Sequence, residues 1–414
     1  MRKLSLALLL VCCCVPILTQ HDQRLISSLV YDPRTCIVNE DLIYNYRSAI
    51  YSFSISLFRP VAFRSNLNFV FSPLSIWIML AAMAEGAEPL TQQKLFQLLN
   101  LPNDPCIRQL YYQLATTRAF PTNDVNIKST RVLLINDGTI LSPSWYDVVV
   151  KNSLLEVITA PMRYNPTATA NEIKRIMSAR LPRLDLSGNS VLLDTMDYNG
   201  LWTTAFADAV VEQAPFYDIE GKQTGTVDIM RVKRRARMGY VKKLNAKVIE
   251  LPFGADERYR MLFSVVIGKA DLRPIVSGVT KELVFEVFAA LRHSYVQIDV
   301  AIPRMVITSE VDVRTVLEDL GVQELWSDPS VTRYISNPPA HPSSFVQRST
   351  VVINNTGLYS EPQEPQPPPG VRTGLEPILG TDFVADRPFL FGLIDAETNS
   401  ILLAAAFSRP TYPL

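Results

Sequence analysis

Between residues 41 and 58, apolar side chains fall at Leu42, Ile43, Tyr46, Ile50, Phe53 and Leu57, the three-and-four spacing of an amphipathic helix. A short apolar run, Asn68 to Phe71, then meets Ser72-Pro73. That pair predicts a helix start, because serine caps free N–H groups and a first-turn proline has none to satisfy. The helix takes in residues 77–85, and another is predicted over 91–99, ended by Leu101-Pro102-Asn103-Asp104-Pro105. β-Branched and aromatic residues concentrate at 131–136, 191–198, 247–251 and 261–267, which read as strands. Further helices are predicted over 168–179 and 311–320. Helices and strands are interspersed without a strict βαβ rhythm, so the pattern predicts one mixed α/β (α+β) domain.

Composition narrows the class. With 48% hydrophobic residues in 414, the chain can bury a large core. Charge at 19% is too sparse for a disordered chain. Forty basic and forty acidic residues cancel, so no global field draws the protein to nucleic acid or to a membrane. Arg2 and Lys3 precede an apolar stretch, Leu4 to Leu18, too short to span a bilayer. This reads as a secretory signal over residues 1–20, cut near Thr19 or Gln20. The expected product is a secreted, extracellular, monomeric domain over residues 21–414.

Cys12, Cys13 and Cys14 leave with that signal, so Cys36 and Cys106 remain. In an oxidising compartment they form one candidate disulfide, or else stay as two buried thiols. Catalytic signals are missing: the chain has no G-x-S-x-G, H-E-x-x-H, P-loop or G-x-G-x-x-G. A triad would need His21, His293 or His341, which fall beside the signal, at a surface edge and in a Pro-rich loop. No enzyme activity, metal or cofactor is expected. Arg231, Lys233, Arg234, Arg235, Arg237, Lys242 and Lys243 crowd a predicted hairpin, a candidate site for sulfated glycans or an ordinary solvated strand edge. Asn354-Asn355-Thr356 is the only N-x-S/T sequon, which makes Asn354 a glycosylation candidate.

Five segments in order resemble the serpin family. They are Asn68 to Ile76; Gly200-Leu201-Trp202 with Phe206 and Ala214 to Tyr217; Val248 to Phe253; Ile302 to Met305 with Leu317 to Val322; and Phe383 to Phe391. The resemblance implies helices packed around three β-sheets, with an exposed reactive loop at about 357–382. In such proteins a protease cuts the loop, and the freed segment inserts as a strand and traps the protease. No catalytic residue is needed on the serpin.

This loop departs from the inhibitory pattern. After Gly357 come Leu358, Tyr359, Ser360, Glu361 and Pro362, followed by prolines at 365 and 367 to 369 in place of small residues. Proline cannot donate to a central ladder. Period-two alternation also puts a glutamate on either face. The segment suits solvated polyproline II, so it is expected to stay out of the sheet. The resemblance therefore implies a non-inhibitory secreted serpin with a carrier, storage, structural or partner-binding role. The alternative is a suicide inhibitor of a trypsin-like serine endopeptidase, with Arg372 before Thr373 as bait and the protease as partner. Where the family usually has Asn and His beneath its sheet opening, this chain has Asp194 and Gln347, facing Ser72 and Ser75. Ala405 replaces a family Gly.

Overall fold

The start signal at Ser72-Pro73 sets the centre of the molecule. The computed structural model describes residues 20–116, 124–179, 184–206, 211–269, 271–359 and 382–410. In it the Ser75 N–H donates to the Ser72 hydroxyl, and Pro73 opens the helix Pro73–Glu85. Residues Pro73 to Ala84 are all buried, so this helix is a core rod rather than an amphipathic surface helix. Trp77 Nε1 donates to the Leu99 carbonyl at 2.9 Å and Trp145 Nε1 to the Ala82 carbonyl at 2.7 Å. Both buried indole N–H groups are thereby satisfied. The helix Leu42–Arg64 packs beside it and runs past the predicted end through Pro60, because Val61 and Ala62 are buried beyond the proline.

Among the described residues there are two large sheets and two smaller ones. The seven-stranded sheet runs Phe69–Phe71, Ser400–Phe407, Phe389–Asp395, Tyr259–Val266, Ala246–Phe253, Arg237–Val241 and Arg292–His293, antiparallel throughout. The six-stranded sheet runs Met305–Asp312, Pro342–Ile353, Gly357–Tyr359, Ser190–Leu201, Val125–Asn136 and Glu156–Ala160. A four-stranded sheet orders Asp382–Val384, Ile298–Pro303, Gln223–Arg234 and Val211–Tyr217. A two-stranded piece joins Ser336–Asn337 to Ile140–Leu141. One apolar cluster surrounds the rod helix, and a second fills the space between the sheets around Phe216, Phe253, Phe263 and Phe389.

The helix expected over 311–320 starts two residues late. Val311 and Asp312 end the strand Met305–Asp312, opposite Gln347 and Val346, and the helix begins at Val313. Asp312 marks the break, its carboxylate accepting from the Thr315 N–H. Cys36 and Cys106 are joined by a disulfide, which ties the N-terminal segment to the helix Pro105–Thr116. No described helix is long and apolar enough to cross a membrane.

Candidate functional site: the seam of the six-stranded sheet

Strands Ser190–Leu201 and Pro342–Ile353 lie parallel in the middle of the six-stranded sheet. They pair directly from Pro342 opposite Ser190 to Ser349 opposite Met196. Just beyond, the Tyr198 hydroxyl donates across the seam to the Thr350 carbonyl. The strands then part, and Gly357–Tyr359 enters the gap as an antiparallel strand. Leu358 stands opposite Gly200 on one side and Ile353 on the other.

This corrects the loop boundary. An exposed loop was expected from Gly357, yet Gly357, Leu358 and Tyr359 are all buried. Two local causes are visible. A Cβ on residue 357 would lie 1.9 Å from the Gly200 carbonyl oxygen, so only glycine passes there. The preceding turn is held by Asn354, whose Oδ1 accepts from the N–H groups of Thr356 and Gly357 and from the Thr356 hydroxyl, at 2.9, 3.0 and 2.7 Å. Trp202 Nε1 donates to the Asn354 carbonyl and Arg304 to Asn355 Oδ1, which fixes the turn to the sheet. The half-buried sequon asparagine thus has a structural task. At the far end, Asp382 already belongs to a strand. Ser360, Glu361, Pro362, Arg372 and Thr373 lie outside the described residues.

Ser72, Ser75, Asp194 and Gln347 come together beneath the paired part of the seam. Ser75 Oγ donates to Asp194 Oδ1 at 2.7 Å. Gln347 Nε2 donates to Asp194 Oδ2 and to the Ser72 carbonyl, while the Ser72 N–H donates to Gln347 Oε1 at 2.7 Å. The polar cluster is closed with Asp and Gln in place of Asn and His. Burial pushes the Asp194 carboxyl up to about 6, against the opposing pull of the Gln347 and Ser75 hydrogen bonds and the Arg131 charge. Arg131 stands opposite Asp194 on the neighbouring strand, and its guanidinium donates to the carbonyls of Leu154 and Ser153. Sequence reasoning missed Arg131, Tyr198 and the turn role of Asn354. A charged residue inside the apolar run Arg131 to Ile135 was the available signal for the first.

The basic residues do not form a hairpin. Arg231, Lys233 and Arg234 end a strand of the four-stranded sheet, whereas Arg237 begins one in the seven-stranded sheet. The chain crosses between sheets at Arg235 and the buried Ala236. Arg231 pairs with Glu212 and Asp299, Arg237 with Glu250, and Lys243 with Glu286. Arg234 is buried and donates to the Thr204 carbonyl. Lys233, Arg235 and Lys242 are exposed. His293 is exposed, His341 Nε2 donates to the Trp326 carbonyl, and no metal-holding cluster occurs among the described residues.

A separate apolar cleft of about 150 Å³ lies between the helices Leu42–Arg64, Leu272–Gly278 and Lys281–Ala290 and the seven-stranded sheet. Phe58, Leu262, Ile275, Val287, Phe288, Leu390 and Ala405 line it. Composition alone gave no sign of it, because its walls come from distant parts of the chain.

The family profile described as serpin (serine protease inhibitor) matches residues 48–410, and the chain belongs to that family. Pigment epithelium-derived factor of Homo sapiens is 23% identical, over 88% of this chain and 87% of that protein. Human thyroxine-binding globulin, solved with thyroxine, has the same fold with a TM-score of 0.76 at 18% identity, over 90% of this chain and 100% of that one. The mouse protein-Z dependent protease inhibitor superposes with a TM-score of 0.73 at 16% identity, over 89% and 99%. One shared fold thus serves a protein named for binding thyroxine and another named as an inhibitor.

Proposed function

We propose that this chain is a secreted, non-inhibitory serpin that acts by binding rather than by trapping proteases. The register of Gly357–Tyr359 carries the reading. Leu358 opposes Gly200 and Ile353, and Tyr359 opposes Asn199 and Val352. Counting onward in the same register, an inserted strand would set Glu364 between Asp194 and Gln347, on the buried face. A carboxylate would then meet a carboxylate in the interior, where like charges directly opposite are destabilising and an unpaired charge is costly. Pro362 would fall between Met196 and Ser349 without an N–H to give the ladder. Insertion is therefore opposed soon after the three residues already in place. The leader at Leu4 to Leu18 and the Cys36–Cys106 bond support export to an oxidising compartment.

The test is to treat the protein with a trypsin-like protease. Cleavage after Arg372 should yield no denaturation-resistant adduct, and the melting temperature should stay nearly unchanged. An adduct at the summed mass, or a rise of tens of degrees after cutting, would overturn the reading. One observation favours the inhibitory alternative with Arg372 as bait: the sheet is already parted at one end, with the hinge inside it. The same experiment decides between them.

Among binding roles, carriage of a small apolar molecule is the one for which the cleft offers room. A cavity of about 150 Å³ is of the size that admits a single aromatic ring. A fluorescent aromatic probe should bind saturably and be blocked by Ala405→Phe. Binding that ignores the substitution would remove this role.

A further inference from the structure

The seam carries a second property, independent of what the loop does. Beneath the paired rungs a closed set of hydrogen bonds runs from Ser75 through Asp194 to Gln347 and back to Ser72. Asp194 is completely buried, and Gln347 reaches it from the opposite side of the seam. Parting the strands must carry Gln347 away and let water reach the carboxyl group. Strand parting and solvation of Asp194 are therefore one event.

The groups facing Asp194 are few. From the helix Pro73–Glu85 and its cap come Ser72 and Ser75, and from Pro342–Ile353 comes Gln347; none of these titrates in the range between acid and neutral pH. From Val125–Asn136 comes Arg131, which stays charged throughout. Among the described side chains no histidine touches the cluster: His293 lies at the sheet edge and His341 against Trp326.

We propose that the Asp194–Gln347 contact is a pH-sensitive latch on the seam, shut more firmly under mildly acidic conditions and readier to part at neutral pH. The sign follows from where the proton binds better. In the closed sheet the carboxyl is pushed up to about 6 by burial, whereas in a parted, solvated seam it returns to the ordinary value near 3.8. The closed form therefore gains relative to the parted form as pH falls through 6, and the gain is complete below 3.8. Linkage makes the full effect on the order of a hundredfold, with about tenfold falling between pH 7 and pH 5. A neutral asparagine at this position carries no such dependence.

Hydrogen exchange on the full-length protein, corrected for intrinsic rates, reads this directly. Amides bonded across Ser190–Leu201 and Pro342–Ile353 should open about tenfold less often at pH 5 than at pH 7. Amides of Tyr259–Val266 in the other large sheet should not share that change. Asp194→Asn should abolish it, and Ser75→Ala, which removes a bond favouring the ionised carboxylate, should move its midpoint to higher pH. A wild-type seam indifferent to pH, or the same fall in Asp194→Asn, would overturn the proposal. Should the Asn variant not fold, an unmoved midpoint in Ser75→Ala would overturn it equally.

Discussion

The two large sheets are closed by different means. In the seven-stranded sheet every neighbouring pair is antiparallel, and Tyr259–Val266 is bonded to Phe389–Asp395 continuously from Tyr259 opposite Asp395 to Val265 opposite Phe389. Phe263 stacks on Phe391 with ring centroids 6.0 Å apart, and Phe389 lies 5.4 Å from Phe407. In the six-stranded sheet the central pair is parallel, stops at Ser349, and rests on a buried carboxylate instead of aromatic rings. A parallel pairing is slightly weaker per residue, and a buried ionised group costs free energy that apolar packing does not. The comparison teaches where this molecule is built to give way. On the latch proposal, the seven-stranded sheet is the frame and the Asp194–Gln347 seam is the line along which the other sheet would open.

Mutations that separate frame from seam can break that account. The largest effect should come from Phe263→Ala, which empties a fully buried ring from the frame and should cost about 3–5 kcal/mol, lowering the midpoint of denaturant unfolding. If the protein tolerates it with little loss, the frame is not what holds the fold. The smallest should come from Gly357→Val, which cannot coexist with the Gly200 carbonyl and must expel the hinge strand. Burial of the Leu358 and Tyr359 side chains returns about 1.5–3 kcal/mol each, and ordering the backbone of three residues costs about 1–2 kcal/mol each. These nearly cancel, so global stability should move little while limited proteolysis at residues 357–359 rises sharply. A large drop in unfolding midpoint would show that the hinge is part of the frame after all.

Local signals carried most of the framework. Ser72-Pro73 announced the rod helix because cap and first-turn proline act within one turn. The strands at 191–198, 247–251 and 261–267 were visible because a concentration of β-branched and aromatic residues is a local property. Their true ends depend on partners: 191–198 fell short of Ser190–Leu201 at both ends, and 261–267 started late and ran past the end of Tyr259–Val266. The helix assigned over 311–320 failed at Val311 for the same reason: an apolar residue at a helix start and one at a strand end look alike until the partner Gln347 is known.

By itself the sequence determined the family, the mixed helix-and-strand class, the buried helix start, Cys36 and Cys106 as a candidate pair and the proline-laden character of the loop. Only the tertiary structure decided that Gly357 to Tyr359 are inside the sheet, because the close approach to Gly200 is a contact between distant strands. It alone split the basic residues between two sheets and paired Arg231, Arg237 and Lys243 with carboxylates. It alone brought Asp194 within reach of Gln347, 153 residues further along the chain. Caps and alternation act over a few residues and are written in neighbours. Register, burial and the protonation of a carboxylate depend on which distant strand arrives alongside, and only the folded sheet settles that.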